Sequence, residues 1–220
     1  GAGKAINTIM RIHLKKLLYI FVAACFSLAI AAPVDSFFRA INVDNASTVS
    51  ELLAEGFDPN TVGERGQVPL YMAMREGSGK VAAALLAHKD IRVDATNEAN
   101  ETPVMMAALR GNLEWTQRLL DHGAAVNRAG WTPLHYAATG PEPKVVALLL
   151  DRGAAIEAPS PNRSTPLMMA ARYGNEESVD LLLARGANPR VRNDRDMNAA
   201  DFARSAGRQA LAARLDQLAK

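Results

Sequence analysis

One phrase recurs along this chain at a nearly constant spacing. VPLYMA begins at residue 68, TPVMMAA at 102, TPLHYAA at 132, TPLMMAA at 165 and NAADFA at 198. The intervals are 34, 30, 33 and 33 residues. A period of this length marks a repeat architecture. A unit so small cannot bury its apolar faces alone, so the expected fold is a stack whose neighbours share a continuous core. Only 5% of the chain is aromatic, against 49% hydrophobic, so that core must be built from Leu, Ala, Val and Met. Such side chains suit thin, closely spaced helices.

Residues 132–164 show how one unit is built. Thr132 is a good N-cap, because its hydroxyl can accept a hydrogen bond from an amide of the first turn. Pro133 then falls at the first helical position, where its missing N–H costs nothing. A first helix is expected from Leu134 to Thr139, with a turn at Gly140 and Pro141. A second helix, from Lys144 to Arg152, presents Val145, Val146, Leu148, Leu149 and Leu150. Leu148 and Leu149 are both expected to be buried between units. Gly153 closes this helix in a left-handed conformation, and Gly56, Gly123 and Gly186 recur at the equivalent place.

Thr-Pro-Leu-His-x-Ala-Ala at 132–138, followed by Leu-Leu-x-x-Gly-Ala, resembles the ankyrin repeat, over about residues 34–220. The resemblance implies an all-α repeat fold: an ankyrin solenoid of stacked helix–turn–helix units joined by β-hairpin-like fingers. Five repeats start near residues 34, 68, 102, 132 and 165, with a C-terminal cap at 198–220. Some units depart from the pattern. The first lacks Thr-Pro and reads as an N-terminal cap. The second has Val68 for Thr and Lys89-Asp90 for Gly-Ala, so its second helix should end differently. The finger before Thr132 is short by about three residues.

The front of the chain reads as a targeting segment. Residues 1–9 are set apart as upstream of Met10. From Met10 a basic start (Arg11, Lys15, Lys16) precedes an apolar run, and Ala29 and Ala31 form an A-x-A site. This is the layout of a secretory signal peptide over residues 10–31. Cleavage would start the ankyrin domain at Ala32 and place it in the periplasm or outside the cell. The rivals are an uncleaved membrane anchor over residues 17–32 and a lipidated Cys25. Cys25 is the only cysteine, so residues 32–220 need no disulfide. Residues 1–31 hold four basic residues and no acid. The remainder has 21 basic and 23 acidic residues, against the whole-chain net of +2. That balance argues against nucleic acid as a partner.

No nucleophile motif, phosphate loop or metal-spaced histidine pair is present, so no catalytic residue, metal ligand or cofactor is expected. His135 sits in the slot that Tyr71, Met105 and Met168 occupy elsewhere, and the resemblance implies a structural hydrogen-bonding role for it. Trp115 falls inside a second helix and reads as core. Trp131 stands where other fingers carry Gln67, Glu101 and Ser164. The resemblance puts that position on the concave face, and Trp is enriched at interface hot spots. Arg65, Arg163 and Arg195 from fingers, with Arg75, Arg110, Arg172 and Tyr173 from first-helix ends, are expected on the same face. Such groups anchor proteins and carboxylates. The function expected is a monomeric, non-enzymatic module that binds an envelope protein. The alternatives are an exported effector that binds a host protein and a periplasmic immunity protein that neutralises a toxin.

Overall fold

The computed structural model describes residues 15–20 and 33–220. Residues 15–20 are helical and exposed. The rest of the leader pattern, with its A-x-A site and Cys25, lies outside the described residues. Among the described residues, no helix is long and apolar enough to cross a membrane.

Paired helices make up the array, and the described residues contain no strand. Residues 33–42 form α1 and Ala46–Ala54 form α2. The pairs that follow are α3 (Pro69–Glu76) with α4 (Gly79–Leu86), and α5 (Pro103–Leu109) with α6 (Leu113–Asp121). Then come α7 (Pro133–Thr139) with α8 (Pro143–Asp151), and α9 (Pro166–Tyr173) with α10 (Glu176–Ala184). The cap is α11 (Ala199–Ser205) with α12 (Gln209–Leu218).

Local chemistry sets these boundaries. A proline opens α3, α5, α7 and α9. Asn45, Asn112 and Asn175 cap α2, α6 and α10, each side chain accepting the amide of Thr48, Trp115 or Ser178. Gly56, Gly123, Gly153 and Gly186 follow second helices with φ between 87° and 95°, a region open to glycine and costly for residues with a Cβ. As the sequence predicts, α4 ends otherwise, at Ala87 without a glycine.

Leu85, Leu119, Leu149 and Leu182 recur at full burial in the second helices. Leu148 does not follow the expectation made for it: it is half-buried, packed on the edge of the core. The five apolar side chains of α8 cover more than the face that packs inward. Trp115 is buried as expected; its indole lies against Gly79 at the start of α4, with the Arg118 guanidinium 4.1 Å from its ring centre.

Neighbouring first helices pack more closely than neighbouring second helices, so the stack curves toward the first-helix side. Ala107, Ala108, Ala137, Ala138, Ala170 and Ala171 permit that approach. At the turn after α7, a Cβ on Gly140 would lie 2.8 Å from the Leu109 carbonyl oxygen, so only glycine fits. Units are also tied by side chains on the loops. Asn127 donates to Gly153 O and accepts from Ala155 N, both at 2.8 Å. Asn60, Asp94 and Glu157 each accept an amide of the following unit in the same way.

Candidate functional site

Four fingers share one turn. The amides of Gly63, Asn97, Ser160 and Asn193 donate to the carbonyls of Gln67, Glu101, Ser164 and Met197. The residue before the last, Gly66, Asn100, Arg163 or Asp196, has φ between 56° and 65°. The finger from Asn127 to Trp131 has no such closing bond among the described residues. Eleven residues separate α6 from α7, whereas fourteen separate α8 from α9. The three-residue deletion read from the sequence is therefore real, and it removes the closed turn.

Trp131 is left half-buried beside the helix starts. Its indole meets the His135 imidazole edge-on, with ring centres 5.3 Å apart and planes at 80°. His135 is itself fixed. Its Nε2–H donates to Ser164 O at 3.0 Å, which leaves Nδ1 to accept the Thr132 hydroxyl at 2.8 Å and the Thr132 amide at 3.2 Å. Thr132 thus spends its hydroxyl on the histidine rather than on a first-turn amide. Thr102 and Thr165, which face Met105 and Met168, accept those residues' amides at 3.4 Å. Burial lowers the His135 pKa, and the bonds to the Ser164 and Ala158 backbone only partly offset it. The neutral imidazole is structural, as expected.

Two hollows adjoin Trp131 and share Met169 as well. The first, about 270 Å³, is apolar and is walled by Leu109, Trp131, His135, Tyr136, Thr139 and Met169. The second, about 260 Å³, joins first helices to fingers and includes Asn162, Arg172, Tyr173, Asn193, Arg195 and Phe202. Arg172 donates to Ser205 Oγ at 2.9 Å and lies 5.1 Å from the Tyr173 ring centre. No acidic residue lines this hollow. Fingers and first helices share the inner face, as the resemblance implies.

The apolar wall is preorganised by a carboxylate clamp. Glu101 accepts the Tyr71 hydroxyl at 2.6 Å, the Tyr136 hydroxyl at 2.8 Å and the Asn97 amide at 2.8 Å. Burial pushes the Glu101 pKa up, but the three donors outweigh it and hold the net value below the usual carboxylate range. Burial, then the bond to Glu101, raises both tyrosines, so their hydroxyls stay protonated.

Of the eight residues expected on this face, Trp131, Arg172, Tyr173 and Arg195 come together. Arg65 instead lines a separate hollow beside α1 with Asp35, Phe38 and Arg39. Arg75 pairs with its neighbour Glu76 at 2.7 Å. Arg110 caps α5 and is exposed, and Arg163 sits at a finger apex; neither reaches the hollows. Sequence reasoning missed Leu109, Tyr136 and Thr139, which sit at first-helix positions that read as core or turn. It also missed the Glu101 clamp, whose two tyrosines lie about one period to either side of the carboxylate. That spacing was the one available signal. Among the described residues, no cluster of His, Cys, Asp or Glu is arranged to hold a metal ion.

A family model for ankyrin repeats in three copies matches residues 37–129, 85–160, 126–193 and 141–215. The chain belongs to the ankyrin repeat family. It is a protein–protein interaction module, the role that ankyrin repeats serve. Curated proteins similar to this chain include two that align over most of its length. ZDHHC13 of Danio rerio, named as a palmitoyltransferase, is 30% identical over 165 residues, 74% of this chain and 21% of the relative. Transient receptor potential cation channel subfamily A member 1 of Homo sapiens is 27% identical over 159 residues, 67% of this chain and 14% of the relative. The chain thus spans about a fifth or less of these proteins. A solved chain is also similar, at 25% identity and TM-score 0.71, over 83% of this chain and 97% of that one. It comes from the complex of predatory endopeptidase Bd0816 of Bdellovibrio bacteriovorus with immunity protein Bd3460.

Proposed function

We propose that this ankyrin array is a non-enzymatic, monomeric binder of a cell-envelope protein, which it grips through the concave face around Trp131. The observation that carries this reading is the shortened finger. It leaves a half-buried indole between two open hollows near the middle of the stack, at a position where the other fingers carry different side chains. Equivalent fingers carry Gln67, Glu101, Ser164 and Met197. The leader pattern of residues 10–31 supports an envelope location, and the cysteine-free sequence after Cys25 suits an oxidising compartment. Mass spectrometry of protein from its native cells should find a chain starting at Ala32. A chain retaining residues 17–31, or one lipidated at Cys25, would contradict this.

Affinity capture from envelope extracts tests the binding reading. Wild-type protein should retain a protein that the Trp131→Ala variant loses while keeping its fold. Identical captured sets would count against the concave face. The solved complex favours a second reading, immunity, because a chain of similar fold and sequence occurs in an endopeptidase–immunity complex. In that case the captured protein is a hydrolase, and stoichiometric addition of the array stops its activity.

A further inference from the structure

We infer that the paired hollows at Trp131 accept an extended segment of the partner protein in which an apolar side chain lies two residues from an acidic one. This rests on the protein-binding reading and adds the chemistry of the ligand. The apolar hollow, about 270 Å³ and open to solvent, has room for an inserted apolar side chain. Its lining offers little polar recognition. The Glu101 clamp on Tyr136 and the Thr132–Ser164 bonds on His135 hold its walls rigid before anything binds.

Charge favours the acidic side chain. The adjoining hollow contains Arg172 and Arg195 and no carboxylate. Arg172 bonds only a neutral hydroxyl, that of Ser205. Among the described residues, neither arginine pairs with an acid, whereas Arg152, Arg185, Arg204 and Arg214 each do, at 2.6–2.8 Å. Two guanidinium groups present forks that match a carboxylate. The donors are long side chains rather than the backbone nests that capture chain termini. A carboxylate on a side chain is therefore the fitting ligand.

Because its finger is unclosed, the amides of Gly130 and Trp131 have no acceptor within the protein among the described residues. An extended segment can bond to such groups. It also sets alternate side chains on one face at ~3.3 Å per residue, which lets residues i and i+2 straddle the indole.

Phage-displayed random dodecapeptides, selected on the immobilised full chain, test this. Enriched sequences should combine Phe, Leu, Ile or Met with Asp or Glu two places away. Amidated synthetic versions should bind the wild type at least about tenfold more tightly than the Arg172→Glu/Arg195→Glu variant. The milder Arg172→Gln/Arg195→Gln variant should fall between them, with thermal unfolding as the check on folding. Selection on the reversed variant should favour Lys or Arg in the acid's place. Enriched peptides without acids, or peptides indifferent to both arginine variants, would overturn the inference. If Trp131→Ala still abolished their binding, the concave-face reading would survive. Peptides indifferent to all three variants would sink both. No enrichment over bare matrix would overturn the extended-segment ligand and leave only folded surfaces as candidates.

Discussion

His135 and Trp131 stand four residues apart and touch, yet they have different roles. The histidine is 1% exposed and bonded at both ring nitrogens, so its removal leaves the buried Thr132 hydroxyl and amide without their partner and takes one of two donors from the Ser164 carbonyl. His135→Ala should cost ~1–3 kcal/mol of stability, read by chemical denaturation. The same residue gives the fold an acid sensitivity. Its pKa is lowered in the folded state, so the unfolded chain takes up the proton first. Its contribution is whole above the unfolded value of about 6.5 and is lost as pH falls below it. His135→Met, which borrows the side chain found at Met105 and Met168, should flatten that loss. A melting temperature that falls as steeply in His135→Met as in wild type between neutral pH and about pH 5 would contradict this. The role of His135 was legible in the sequence, because the phrase recurs with other side chains in its slot. The fate of Arg75 was not, since its pairing with Glu76 depends on a rotamer rather than on spacing.

At the scale of the helix, the repeat pattern foretold starts and stops well. Proline at the first position and glycine after the last turn are local chemistry, independent of neighbours. Burial within a helix was less legible. The run Val145 to Leu150 is apolar almost all round, and only packing against the next unit distinguishes its faces. Leu149→Ala should therefore cost ~2–5 kcal/mol, and Leu148→Ala clearly less. Equal losses in paired denaturation curves would count against the observed packing. Contacts between units give a second test. Gly140 has φ of −76°, so an alanine there is not strained by its backbone. Its Cβ would instead press on the Leu109 carbonyl. Gly140→Ala should destabilise by ~1–3 kcal/mol through that crowding. An unchanged midpoint would mean that α5 and α7 yield easily.

Over the whole molecule, the period fixes a curved stack, and curvature gathers residues that are far apart in sequence. Leu109, Tyr136 and Met169 meet across three units, which no local pattern announces. Apolar residues at first-helix positions look like core until the short finger uncovers them. The deletion itself was legible as a gap in the period, and it singled out Trp131 for the proposal. The central claim is that Trp131 is there for a partner and not for the scaffold. Titration of wild type and Trp131→Ala against the captured partner, with thermal unfolding of both, tests it most directly. Trp131→Ala should lose ~2 kcal/mol or more of affinity with little change in unfolding temperature. Unchanged affinity with a large loss of stability would show that the indole is a packing plug on His135.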